Sequence, residues 1–167
     1  MSVGHVLVVD DELSMREMLK ILLEEEGREV SLAASGEEAF VLLGRVEYDL
    51  VLTDLKMEAV GGLDVVRRVK DTAPHTQVIV MTAFATTETA IEAMKLGAYD
   101  YVMKPFKVDA LKVVVAKAFE KRELLRENVS LKAELEERYS FGRLIGKSPA
   151  MAQVYDLVSK VAPTRTN

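Results

Sequence analysis

Acidic, hydroxyl and amino side chains follow four apolar segments in this sequence of 167 residues. Asp10 ends the first segment and Asp11 follows it, while Asp54 follows the third segment, Thr82 the fourth and Lys104 the fifth. Clustered carboxylates repel one another, and a divalent cation removes that conflict. Mg²⁺ suits such a cluster because it prefers hard oxygen ligands and keeps several waters. The residue types therefore predict a magnesium site.

The acidic residues of this predicted site have separate roles. Asp11 and Asp54 are expected to bind the metal directly, together with a backbone carbonyl at Lys56, and Asp10 to reach it through water. An ionised Asp54 beside a metal that attracts phosphoryl oxygens is a nucleophile for in-line phosphoryl transfer. The product of that transfer would be an acyl phosphate.

Lys104 and Thr82 complete the predicted site. The Lys104 ammonium would pair with phosphoryl oxygens, and the Thr82 hydroxyl would donate a hydrogen bond to one of them. Taken singly, these residues have simpler explanations: an Asp after a strand is often a helix N-cap, and Thr or Lys-Pro often belongs to a loop. Their coincidence at four segment ends favours one shared site.

The five apolar segments, residues 5–10, 29–33, 50–53, 78–81 and 99–103, predict buried parallel strands because they show little polar alternation. Stretches with helical spacing lie between them, including one at 37–46. This alternation predicts an α/β fold, a doubly wound five-stranded parallel sheet in the flavodoxin-like order 2-1-3-4-5. Sites of such sheets form outside the carboxyl ends of the strands, where the residues above would meet.

The last predicted helix is unusually long, from near Val108 to Gly142. We therefore expect a first domain over 1–120, a helical linker over 121–142, and the incomplete start of a further domain over 143–167. In the linker, Leu124 and Leu131 can take heptad position d, and Asn128 and Leu135 position a. Glu127 at g and Lys132 at the following e then pair favourably between parallel partners. Either a dimeric coiled coil or a solvated helix fits this pattern, because Lys121 at a, and Lys117 and Arg138 at d, weaken the seam.

Composition excludes several classes of protein and site. The chain has no cysteine, so it forms neither a disulfide framework nor a thiolate metal site. Its formal net charge of -5 disfavours binding to a nucleic-acid backbone. No apolar run is long enough to cross a membrane, and the N-terminus does not resemble a secretion signal. A cytoplasmic location is therefore predicted.

The segments VLVVDDE, VLTDLKM, VIVMTAFA and GAYDYVMKPF together resemble the receiver domain of bacterial two-component response regulators, over about residues 4–120. The resemblance implies that a sensor histidine kinase phosphorylates Asp54 with Mg²⁺ bound. It further implies a cis Lys104–Pro105 bond and a switch in which Thr82 moves toward the phosphate while Tyr101 rotates inward. Phe84, two residues after Thr82, would shield the acyl phosphate from water.

The loop after Asp54 departs from the family pattern. Glu58 stands where proline is usual, and Gly61 where an acidic residue is usual, while Gly62 keeps the family glycine. This difference is expected to make the loop more mobile and could alter metal affinity.

The later segments, ENVSLKAEL and LIGKSPAMAQVYDLVSKVAPT, resemble NtrC-like sigma-54-dependent activators, in which an AAA+ ATPase follows the linker. The resemblance implies a homodimer through helix four, strand five, helix five and the linker, with no nucleic acid bound by this segment. Two alternatives remain: a dimerisation module that takes no phosphate, or an aspartyl phosphatase. The phosphatase would need a second Asp two residues after its nucleophile, which the first strand end lacks. An enzyme with turnover is therefore not expected.

Overall fold

The computed structural model describes residues 4–83 and 86–147, with residues 137–147 as helix backbone. Strands and helices alternate along these residues. In chain order they are β1 (His5–Val9), α1 (Leu13–Glu25), β2 (Glu29–Ala33), α2 (Gly36–Leu43), β3 (Leu50–Asp54), α3 (Gly62–Thr72), β4 (Gln77–Thr82), α4 (Thr87–Lys95), β5 (Asp100–Met103) and α5 (Val108–Lys147).

The strands form one parallel sheet in the order β2-β1-β3-β4-β5. Asp54 on β3 pairs with Met81 on β4, and Thr82 pairs with Met103 on β5. The carboxyl ends of these neighbouring strands therefore lie level at one edge. The predicted doubly wound, flavodoxin-like fold is confirmed.

Helices cover both faces of the sheet. Successive strand side chains point to opposite faces, and they enter two separate clusters of buried apolar residues. One cluster joins Leu7, Val51 and Val80 to α2, α3 and α4, and the other joins Val8, Leu52 and Ile79 to α1 and α5. Because both faces are buried, the strands appear in the sequence as continuous apolar runs.

Two helices differ from their predicted extents. α2 ends at Leu43 with Gly44 as its C-cap, before the predicted end at residue 46. Glycine favours such a stop because ordering its backbone in a helix costs more entropy than for other residues. α5 continues through Gly142 to Lys147, so the predicted helix end at this glycine is not observed. A glycine inside a helix costs only about 1 kcal/mol, which a long helix tolerates.

The chain divides into two compact units, Met1–Leu125 and Arg126–Asn167, and α5 contributes residues to both. The first unit contains the whole sheet. The domain boundaries drawn from the sequence at residues 120 and 142 stay predictions. No helix among residues 4–83 and 86–147 is both long and apolar enough to cross a membrane.

Leu111 and Val113 offer a matched test of how α5 packs on the sheet. Leu111 is fully buried, whereas Val113 is 54% exposed on the same helix. We expect Leu111→Ala to lower the free energy of unfolding by about 2–5 kcal/mol, because it leaves a cavity. Val113→Ala should change it by less than about 0.5 kcal/mol. Urea unfolding of both variants measures this difference, and equal losses would contradict the packing.

Candidate functional site

The side chains of Asp10, Asp54 and Lys104 meet at the carboxyl edge of the sheet. Asp10 directly follows β1, Asp54 ends β3, and Lys104 directly follows β5. The Lys104 Nζ lies 2.7 Å from Asp10 Oδ2 and 2.8 Å from Asp54 Oδ1. Asp10 is 0% exposed and Asp54 8%. One ammonium thus bridges two nearly buried carboxylates and leaves the group with an excess negative charge.

Burial controls the ionisation of this group. Removal from water raises the pKa of the Asp54 carboxyl, and the hydrogen bond and charge of Lys104 oppose that rise only in part. Burial alone would lower the pKa of the Lys104 ammonium, but its hydrogen bonds to Asp10 and Asp54 outweigh this and raise it. The lysine therefore stays charged, while the negative charge of Asp54 would be stabilised by a further cation.

Hydrogen bonds hold Asp10 in place from several sides. Its Oδ1 accepts a hydrogen bond from the backbone N–H of Glu12 at 2.9 Å, and its Oδ2 accepts one from Lys104. The Arg16 Nη1 donates to the Asp10 backbone carbonyl at 2.6 Å. The sequence reasoning did not single out Arg16. The available signal was a cation in the first half of α1, where it opposes the helix dipole.

The loop after β3 contacts Asp54. Asp54 Oδ2 accepts a hydrogen bond from the backbone N–H of Lys56 at 3.0 Å. Ala59 has a φ of 57°, a left-handed conformation that is uncommon for a residue other than glycine. Gly62 lies so close to Asp54 that an added Cβ would be 2.2 Å from the Asp54 carbonyl oxygen. Position 62 therefore requires glycine, because there is no space for a side chain.

Asp11 follows Asp10 in the chain and is exposed to solvent. Among the residues that the structure describes, no three His, Cys, Asp or Glu side chains lie close enough together to hold a metal ion. Of the three carboxylates predicted for the site, those of Asp10 and Asp54 share the Lys104 ammonium. The Lys104 ammonium stands between these two and neutralises part of their repulsion.

Thr82 and Tyr101, the two predicted switch residues, line the same small cavity. The cavity has a volume of about 10 Å³ and also touches Leu55, Val80, Thr89, Ala90 and Ala93. Thr82 is 4% exposed and Tyr101 38%. The backbone N–H of Lys104 donates to the Thr82 carbonyl at 2.7 Å, which ties the lysine to the end of β4.

The peptide bond between Lys104 and Pro105 is cis, as the family resemblance implied. Phe84, the residue expected to shield the acyl phosphate, lies outside the described residues.

Comparison with known proteins identifies the family. Residues 6–116 match the family model described as the response regulator receiver domain. The chain belongs to the response regulator receiver family. The resemblance carried by the motifs is therefore confirmed, and residues 6–116 are a receiver domain.

Curated relatives of this receiver align with nearly the whole chain. The regulatory protein AtoC of Escherichia coli is 34% identical over 161 residues, which cover 96% of this chain and 35% of AtoC. The transcriptional regulatory protein ZraR of Salmonella typhimurium is 38% identical over 160 residues, which cover 95% of this chain and 35% of ZraR. The chain thus spans about a third of the length of these relatives.

Solved structures give the same picture. NtrX from Brucella abortus, solved in complex with ADP, superposes with a TM-score of 0.73 at 32% identity, covering 98% of this chain and 35% of NtrX. A receiver domain protein from Clostridium thermocellum superposes with a TM-score of 0.70 at 35% identity, covering 74% of this chain and 99% of that protein.

Gly61 and Gly62 allow a matched test of the close approach to Asp54. A Cβ at Gly62 would collide with the Asp54 carbonyl, whereas a Cβ at Gly61 would meet nothing nearer than 3.4 Å. We expect Gly62→Ala to cost roughly 1–3 kcal/mol of unfolding free energy, because the receiver must shift around the added atom. Gly61→Ala should cost less than about 0.5 kcal/mol. Urea unfolding compares the two, and a silent Gly62→Ala would refute the close contact.

Asp54→Asn tests the raised pKa of Asp54. A raised pKa means that the stability contributed by this group is complete below the ordinary aspartate pKa and is lost as pH rises through the folded pKa. In magnesium-free buffer at neutral pH, we expect the uncharged variant to melt a few degrees above the wild type. The gap should narrow as the pH falls toward the ordinary aspartate range. Thermal unfolding across pH measures this gap, with the exposed Asp71→Asn as control; a gap independent of pH would contradict the assignment.

Proposed function

We propose that this receiver accepts a phosphoryl group on Asp54 and passes the change on to the rest of its chain as a change of shape. The observation that carries the proposal is the Lys104 ammonium held between the buried carboxylates of Asp10 and Asp54. The ammonium is in place to pair with phosphoryl oxygens, and Asp54 is the carboxylate at the end of the central strand. Membership of the receiver family supports the same roles.

The residues around Asp54 fit Mg²⁺, which we propose as the cofactor. Magnesium sites in proteins commonly use one or two carboxylates and several waters, and the excess negative charge here favours a cation. We assign Asp11, Asp54 and the backbone carbonyl of Lys56 to direct binding, and Asp10 to binding through water. When bound, the ion supplies positive charge to the phosphoryl oxygens.

Phosphoryl transfer from a sensor histidine kinase changes two bonds. A carboxylate oxygen of Asp54 forms a bond to phosphorus while the phosphorus–nitrogen bond of a phosphohistidine breaks. The electron pair of the broken bond stays on the imidazole nitrogen. Lys104 pairs with the transferred oxygens, and Thr82 donates a hydrogen bond to one of them. The chain acts only on itself, in its own phosphorylation and dephosphorylation, and so is not an enzyme with turnover.

The switch that follows involves the small cavity between Thr82 and Tyr101. Movement of Thr82 toward a phosphoryl group would leave space behind it, and Tyr101 borders that space while remaining partly exposed. Inward rotation of Tyr101 would alter the surface of α4, β5 and α5. If the two conformations of this surface have similar free energies, a small difference in stability is enough to shift the population from one to the other.

We assign the chain to the receiver and linker of an NtrC-like, sigma-54-dependent transcription activator in the cytoplasm. Relatives named as regulatory or transcriptional regulatory proteins align with almost all of the chain and continue well beyond it. In this proposal, a homodimer forms through α4, β5, α5 and the linker, and phosphorylation changes its geometry to control the following ATPase. Binding of DNA is left to other parts of the protein.

Labelling with acetyl phosphate and Mg²⁺ tests the phosphoacceptor. We expect intact-protein mass spectrometry to show one added phosphoryl group on the wild type and none on Asp54→Ala. Asp64→Ala, which removes an exposed aspartate from α3, should label like the wild type, and chelation of Mg²⁺ should abolish labelling. Labelling that survives Asp54→Ala would refute the assignment. An unlabelled wild type would favour a dimerisation module, and steady turnover of a phosphate ester would favour a phosphatase.

A further inference from the structure

The turn between β2 and α2 contacts both loops that carry the candidate site. Ala33 ends β2 and Gly36 begins α2. The Ala33 carbonyl accepts a hydrogen bond from the backbone N–H of Asp10 at 3.1 Å. A Cβ added to Gly36 would lie only 2.6 Å from the Val60 Cβ and from the Val60 carbonyl oxygen. This turn therefore touches the residue after β1 and the loop after β3.

We infer that the turn positions these two loops for the proposed magnesium site, and that the contact of Gly36 with Val60 sets how tightly the ion binds. The inference rests on the proposed function, because it concerns the same metal, but it involves neither the kinase nor a dimer. Gly36 and Val60 would not touch the ion. They are positioning residues that act through the backbone of the loop after β3.

Hydrogen bonds and burial tie the turn to α2. The Ser35 Oγ accepts a hydrogen bond from the backbone N–H of Glu38 at 3.3 Å, and the Glu38 Oε2 accepts one from the backbone N–H of Ala34 at 2.7 Å. These bonds join the turn to the first turn of the helix. Ala33 and Ala39, on either side of them, are buried in the apolar cluster between the sheet and α2. The turn is therefore held in place independently of the loops that it contacts.

The loop after β3 is held from the core at its start. Leu55 and Met57 pack against the same apolar cluster, one on each side of Lys56, whose carbonyl we assign to the metal. Glu58 then stands where the family has proline, so the ring that would fix φ is missing. Val60, two residues further on, supplies a contact that restrains the loop in its place.

The lack of a side chain at position 36 decides where Val60 lies. A carbon atom cannot approach another carbon or an oxygen to 2.6 Å without a shift of one of them. Because the turn is tied to a buried helix, the loop is the part that would move. A methyl group at position 36 would push the Val60 carbonyl away and displace the backbone that leads back to Lys56.

Gly36→Ala tests this contact in the full chain. We expect its Kd for Mg²⁺ to rise by about three- to tenfold, because the Lys56 carbonyl is displaced from its place in the metal site. Titration with MgCl₂, followed by NMR of the backbone amides of Asp11 and Lys56, measures the Kd. Val60→Ala adds no atom and avoids any collision, and it should raise the Kd by about twofold or more because it frees the loop.

Two controls separate positioning from stability. Gly44→Ala lies at the other end of α2, where an added Cβ meets nothing nearer than 3.6 Å, and its Kd should equal that of the wild type. Leu111→Ala destabilises the receiver from the apolar cluster on the opposite face of the sheet. At a temperature where it is folded, its Kd should also be unchanged.

Labelling with acetyl phosphate gives a second measurement. In Gly36→Ala, the Mg²⁺ concentration for half-maximal labelling should rise by the same factor as the Kd. The rate at saturating Mg²⁺ should stay close to that of the wild type, because the groups assigned to the phosphoryl oxygens are unchanged.

The possible failures have distinct meanings. A wild type that binds no Mg²⁺ would overturn both the proposed metal site and this inference. A wild type that binds Mg²⁺, with an unchanged Kd in Gly36→Ala, would overturn the inference alone, as would a Kd raised equally in Leu111→Ala. If Gly36→Ala does not fold, Val60→Ala decides, and an unchanged Kd in that variant overturns the inference.

Discussion

Two carboxylates cannot both remain ionised in a buried position unless positive charge lies beside them. The receiver meets this constraint with the Lys104 ammonium, which contacts both Asp10 and Asp54. The three groups come from positions far apart in the sequence, so none can be in place before the sheet has formed. The ammonium is therefore both part of the fold and part of the site. Because its two partners carry more negative charge than it neutralises, a further cation would be stabilised at the same edge.

The sheet supplies the geometry that this arrangement requires. Parallel strands in the order β2-β1-β3-β4-β5 bring the ends of β1 and β3 side by side. β4 lies between β3 and β5, and Lys104 extends from the end of β5 to the two carboxylates. The hydrogen bond from the Lys104 backbone N–H to the Thr82 carbonyl extends the pairing of β4 and β5 as far as Lys104. Burial on both faces keeps these ends in register, because a shift of a strand would expose one apolar cluster or the other.

The same strand links the site to the surface. β5 is the edge strand, with Tyr101 half-exposed in it and Lys104 immediately after it. Events at Lys104 and Thr82 therefore have a short path to Tyr101 through the backbone and the shared cavity. The next element, α5, carries exposed side chains at Leu124, Leu131 and Leu135.

Much of this could be predicted from residue types and spacing. Continuous apolar runs predicted the strands, because both faces of a doubly wound sheet are buried, and the polar residues at the ends of these runs indicated the site.

The sequence did not predict how the charged side chains are arranged. Asp10 and Asp11 are adjacent and chemically alike, yet the fold buries the first against Lys104 and leaves the second in solvent. Arg16 was likewise not predicted, because its hydrogen bond to the Asp10 carbonyl forms only when α1 packs against the sheet. Gly44 and Gly142 look similar as helix stops, yet only the first ends a helix. Local pattern determined which groups were available, and tertiary packing decided which of them share a partner, because burial and Coulomb interactions depend on distances in space and not along the chain.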